Sequence, residues 1–170
     1  MRHLARTAAA LTVAGLLTAC TATVPVPRPS TDDLIKAATQ HLTDTCLTGR
    51  GLAPPRPGRS PLPVAEQRRV DGALFGTGRA ELSLRLPTGY VVRAHTDGCL
   101  AAAQRRLYGD QRRWFQVSVT VGNLRPEATH THRTLAAVRA RHRAELADWR
   151  RMRERAVRAA GPLLAGPPVQ

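Results

Sequence analysis

Apolar residues recur every three or four positions over Leu34, Ile35, Ala38, Leu42 and Cys46, and that spacing predicts an amphipathic helix over 31–47. Ser30 or Thr31 can cap its start, Asp32 and Asp33 suit the positive end of the helix dipole, and Gly49 is a natural stop. The segment 51–63 that follows carries five prolines and two glycines, so it reads as a surface loop without regular structure. A short helix over 64–74 comes next and ends at Phe75-Gly76-Thr77-Gly78.

The period then changes from helical to two. Glu81-Leu82-Ser83-Leu84-Arg85-Leu86 alternates polar with apolar, Tyr90 to His95 does so less cleanly, and Pro87-Thr88-Gly89 between them predicts a hairpin. Leu82, Leu84 and Leu86 are expected to face the core, and helices must cover them because a lone two-stranded hairpin is marginal in water. Thr96 or Asp97 is the expected cap of the next helix, with Gly98 and Cys99 in its first turn and Gly109 ending it after Tyr108. From Asp110 the spacing of Trp114, Phe115, Val117, Val121 and Leu124 is helical. Val117-Ser118-Val119-Thr120-Val121 also alternates like a strand, and helix is the preferred reading.

After Pro126 no glycine or proline occurs before Gly161. Leu135, Val138, His142, Leu146, Trp149, Met152 and Ala156 mark one continuous helical stripe, so a single long amphipathic helix is expected, stopped by Gly161-Pro162. Its other faces carry many arginines, Arg150 and Arg151 among them.

The start of the chain has a different pattern. Arg2 and Arg6 precede an apolar stretch from Ala8 to Leu17, followed by small residues, which are the three parts of a secretory signal over 1–19. That stretch is shorter than the roughly 20 apolar residues of a membrane-spanning helix. Leu17-Thr18-Ala19-Cys20 resembles the lipobox of bacterial lipoproteins. The resemblance implies that Cys20 receives a diacylglyceryl group, becomes the mature N-terminus, and holds the protein on the extracytoplasmic face of the cell membrane. Residues 20–30, with proline at 25, 27 and 29, then read as a semi-rigid spacer. Residues 31–160 form the single extracytoplasmic domain, and 161–170 a flexible tail.

About 130 residues suffice for one ordinary domain with a modest core. Six aromatic residues are few for that purpose, so other constraints are expected to help. With Cys20 lipidated, Cys46 and Cys99 are the remaining thiols, and export to an oxidising compartment predicts that they form a disulfide. Charge adds a second point. Of 26 basic residues the leader removes Arg2 and Arg6, leaving 24 against 12 acidic ones and a formal charge of +12. Such a domain, tethered near a membrane, is attracted to anionic lipid or a cell-wall polymer. Nucleic acid is not an expected partner of an exported protein.

Recognisable catalytic patterns do not appear. The four serines of the mature chain (Ser30, Ser60, Ser83, Ser118) lack a Gly-x-Ser-x-Gly setting, and no HExxH, EF-hand or P-loop pattern occurs. His130, His132 and His142 are too few for a zinc site without further ligands, so no metal and no cofactor is expected. Asp97 and Asp110 are explained as helix caps.

Leu86-Pro87-Thr88-Gly89, Asp97-Gly98-Cys99, the run from Ala103 to Asp110, Trp114-Phe115 and Asn123-Leu124 together resemble a family of uncharacterised actinobacterial lipoproteins of the Streptomyces type. Relatives often carry a further cysteine near the position held here by Met152. The resemblance implies a membrane-anchored location and no catalytic residue. The expected fold is therefore α+β and α-rich, a single domain with helices packed on a small antiparallel hairpin and one disulfide. The expected function is non-enzymatic: envelope association or ligand binding, with Trp114, Phe115, Arg150 and Arg151 as candidate contacts. Alternatives are a self-protection lipoprotein that sequesters an antimicrobial peptide at the membrane, and a cryptic cell-wall enzyme.

Overall fold

The computed structural model describes residues 28–58 and 60–166. The expected signal peptide, Cys20, most of the expected spacer and the last four residues lie outside them. Among the described residues, seven helices and one two-stranded antiparallel hairpin make an α-rich α+β fold.

Helix α1 (Thr31–Gly49) starts where the sequence places it. Ser30 is the cap, its hydroxyl accepting from the Asp33 N–H at 3.1 Å and donating to the Asp33 carboxylate at 2.7 Å. This bond, with a second from the Ser30 N–H, holds the Asp33 carboxyl below its usual range. Ile35, Ala38, Thr43 and Leu47 are buried along one side. The Thr43 hydroxyl is satisfied within the helix, donating to the Thr39 and Gln40 carbonyls at 3.0 and 2.9 Å.

Helix α2 (Val64–Phe75) lies across the far end of α1, where Val70 packs with Leu47 and Cys99. Strands β1 (Leu82–Arg85) and β2 (Val91–Ala94) pair in the register Leu82 to Ala94 and Arg85 to Val91. The turn closes through Gly89 at φ 88, and Leu82 and Leu86 are buried while Leu84 is half-buried. Helix α3 (Cys99–Tyr108) then lies against α1, and the predicted bridge joins them: Cys46 and Cys99 are disulfide-bonded, with Cα atoms 5.7 Å apart.

The expected cap of α3 is corrected. Gly98 occupies the cap position and no side chain caps the helix. A Cβ at Gly98 would stand 2.6 Å from the backbone of Leu74, Phe75 and Gly76, so the close approach of the end of α2 requires glycine there. Asp97 instead accepts from the Thr77 N–H at 3.3 Å, and Glu81 accepts from the Thr96 N–H at 3.1 Å. These bonds tie the segment that enters the hairpin after α2 to the segment that leaves it before α3.

Helix α4 (Gln111–Gly122) resolves the ambiguity over 117–121 in favour of helix. Asp110 caps it as expected, accepting from the Arg113 N–H at 2.9 Å.

The long helix expected after Pro126 is the main correction. The structure has three helices: α5 (Leu124–His130), α6 (Leu135–Arg141) and α7 (Arg143–Ala165). Pro126 lies in the first turn of α5, where its missing N–H has no helical partner to lose. The first break is a Schellman-type ending. Arg133 N–H donates to the Ala128 carbonyl at 3.0 Å, His132 N–H to Thr129 at 3.3 Å, and His132 takes φ 51. Glycine usually fills that place, so the sequence carries no visible stop. Thr134 then caps α6, accepting from the Ala137 N–H at 3.1 Å. The second break falls at His142, whose ring bonds Glu127 of α5.

Gly161-Pro162 does not stop α7, which continues to Ala165. Ala160 is buried and Leu163 packs on the central core, so apolar contact carries the helix past the proline. That core gathers Ile35 and Ala38 of α1, Leu107 and Tyr108 of α3, Trp114 and Val117 of α4, and Ala156 and Ala160 of α7. A smaller cluster of Leu124, Ala128 and Val138 holds the α5–α6 corner.

Candidate envelope-facing surface

Helix α7 turns an apolar side to the core and leaves its opposite side to arginine. Arg143, Arg150 and Arg158 are exposed on that outer side, at spacings of seven and eight residues that return to the same face. The ion pairs among the described residues engage Arg56, Arg113, Arg141, Arg151 and Arg153, so the three stripe arginines have no carboxylate within 4 Å. Arg151, also exposed, is bound to Asp148 one turn back. Asp148 also accepts from the Arg113 Nε at 2.7 Å, and that guanidinium above all holds its carboxyl below the usual range.

Beside the stripe, where α7 passes the N-terminus of α1, Thr31, Trp149, Arg150, Arg153, Glu154 and Val157 line an open groove of about 210 Å³. The half-buried Trp149 ring forms part of it. The Arg153 guanidinium lies 4.7 Å from the ring centroid and pairs with Asp32, which fixes both groups and neutralises the first acid of α1. Thr31 lies directly after the segment leading back to Cys20. The groove therefore stands at the root of the predicted tether.

Trp114 and Phe115 lie elsewhere. Both are buried, and Trp114 stacks on Tyr108 with ring centroids 3.5 Å apart and planes 6° from parallel. Burial also raises the Tyr108 hydroxyl pKa above its usual value. Of the sequence-predicted contacts, then, the structure puts Arg150 in the groove, pairs Arg151 with Asp148 outside it, and puts the two aromatics into packing.

Two further depressions exist. One of about 160 Å³ lies under the proline-rich loop, against Arg56, Gln67 and Val70; another, open and about 390 Å³, lies between Lys36, Gln40, Phe75 and Leu100. Neither gathers several ionisable groups around one point. His130 and His132 are exposed, and no group of three or more His, Cys, Asp or Glu among the described residues could hold a metal ion. No helix among them is long and apolar enough to cross a membrane. The chain matches no protein-family model, no curated protein and no solved structure.

Sequence reasoning missed one polar constellation. Glu127 is 2 % exposed; one carboxylate oxygen bonds His142 Nε2 at 2.9 Å, and the other stands 3.2 Å from the Arg141 guanidinium. Glu145 lies 3.8 Å from the other ring nitrogen of His142. The cluster ties α5 to the α6–α7 junction. Its only sequence signal is a histidine on an otherwise apolar stripe, which marks a ring that needs a partner. Sequence reasoning also passed over Arg153 and Thr31, which only the meeting of α1 with α7 brings to the groove.

Proposed function

We propose that this chain is an extracytoplasmic lipoprotein, anchored to the cell membrane through Cys20, whose domain is a non-enzymatic, envelope-associated binding module. The lipobox-like Leu17-Thr18-Ala19-Cys20 and the leader before it support the anchor. The disulfide is consistent with an oxidising compartment. The resemblance to actinobacterial lipoproteins agrees with both.

One observation carries the envelope reading: the domain meets its tether at Thr31, beside the Trp149 groove and the arginine stripe of α7. Basic groups held within about a Debye length of an anionic surface gain about 1 kcal/mol each. Tethering and charge thus act at the same end of the molecule. Metabolic labelling with a fatty-acid probe tests the anchor: label is expected on the native chain and lost from Cys20→Ala. Label retained by that variant overturns the reading.

A further inference from the structure

The tether, the groove and the stripe together assign a resting orientation. Resting on the anchor reading above, we infer that the outer side of α7 is a docking surface for anionic phospholipid, with Arg143, Arg150 and Arg158 on lipid phosphates and the Trp149 edge at the headgroup level.

Length comes first. Seven residues lie between Cys20 and Arg28, and the eight steps from one to the other, even fully extended, reach at most about 29 Å. The tether thus enters the domain at the Thr31 end, whereas Leu47 and α2 lie at the opposite end of the 19-residue α1, about 28 Å away. Charge comes second. From Arg143 to Arg158 the stripe runs about 22 Å along α7, long enough to meet several headgroups. Glu154, exposed and four residues from both Arg150 and Arg158, is the one carboxylate lining the groove and shares the face of the stripe, where three arginines outnumber it; Asp32, next to Thr31, is paired with Arg153. Chemistry comes third. A tryptophan with an apolar body and an N–H suits the boundary between acyl chains and water, and here it lies next to guanidinium groups that pair with phosphate. A cell-wall polymer could meet the same arginines, but it offers no apolar layer for Trp149 and Val157.

The test uses the lipidated full chain, reconstituted through its own anchor into phosphatidylcholine vesicles with or without brominated phosphatidylglycerol. Tryptophan emission is read after flotation. Quenching is expected with the anionic lipid and is expected to disappear in Trp149→Phe, because Trp114 is buried in the core. At about fivefold per arginine, replacing Arg143, Arg150 and Arg158 with Gln is expected to weaken docking about a hundredfold and abolish the quenching. Gln at Arg68, Arg69 and Arg79, exposed and outside α7, removes the same charge and is expected to leave it intact. No quenching in the native chain, or equal loss in both triple variants, overturns the assignment. Failure of the protein to float with vesicles appears before any fluorescence is read, and it removes the anchor reading and this inference together. All six arginines are exposed, so the comparison does not hang on the partly packed Trp149.

Discussion

The centre of the molecule, where α1, α3 and α7 meet, and the corner made by α5 and α6 are both helical but are held by opposite means. At the centre the contacts are apolar, and at the far end of α1 a disulfide joins α1 to α3 beside a second apolar cluster. At the corner a small apolar cluster shares the work with a buried carboxylate that reaches His142 and Arg141. Apolar periodicity announces the first kind of packing, because a stripe of Leu, Ala and Val is visible along the chain. It is blind to the second, because a carboxylate and an imidazole fifteen residues apart have no period.

The largest effect expected from breaking this contrast is at the bridge between α1 and α3. Replacing Cys46 and Cys99 with Ala releases a loop with sequence separation 53, and in the chain-entropy model that costs about 4 kcal/mol. Urea denaturation with and without reductant measures it, and equal midpoints for native and variant chains under oxidising conditions would show that the bridge constrains nothing.

At the corner, Glu127→Gln keeps the shape but removes the charge that His142 and Arg141 approach, at an expected loss of about 2 kcal/mol. Amide exchange should show the α5–α6 segment opening before α1. If α1 opens equally early, the two regions form one cooperative unit.

A stabilising change sharpens the contrast further. His132 holds a left-handed backbone that glycine adopts without strain, so His132→Gly is expected to raise stability by about 1 kcal/mol. A variant less stable than the native chain would mean that the histidine side chain contributes more than its backbone conformation costs.

The smallest effect concerns Asp148, where α4 meets α7. Its folded carboxyl is held below the unfolded range by Arg113. The resulting stabilisation is present above the unfolded carboxylate pKa and is lost as pH falls through the folded one. Asp148→Asn should therefore flatten part of the acid limb of a stability-against-pH curve and leave α1 protection unchanged. An unaltered acid limb would show that this half-buried ion pair adds nothing.

Much of the fold was legible along the chain. The Ser30 and Asp110 caps, the hairpin around Pro87-Thr88-Gly89 and the pairing of Cys46 with Cys99 are local signals or follow from a count of two thiols. The division of 124–165 was not legible, because its first stop sits on a histidine in place of glycine and its second falls at His142, which carries no local stop signal and whose partner Glu127 is remote in sequence. The end of α7 was misread for a related reason: Gly161-Pro162 is a strong local stop, yet burial of Ala160 and packing of Leu163 outweigh it. Trp114 and Phe115 were conspicuous as large side chains, and size alone does not distinguish a core residue from a ligand contact. Of the candidate surface, Arg150 and Arg151 were visible as part of a basic face, while Trp149 was expected in packing.

By itself, then, the sequence determined which segments can be helix or strand, which thiols can pair, and how many positive charges the domain carries, because these depend on residue type and spacing alone. Only the tertiary structure decided that Gly98 must be a glycine, that Glu127 meets the His142 ring where α6 gives way to α7, and that Thr31, Trp149, Arg150 and Arg153 share one groove. Each of these depends on two segments remote in sequence coming within a few ångströms, and period and composition hold no record of such distances.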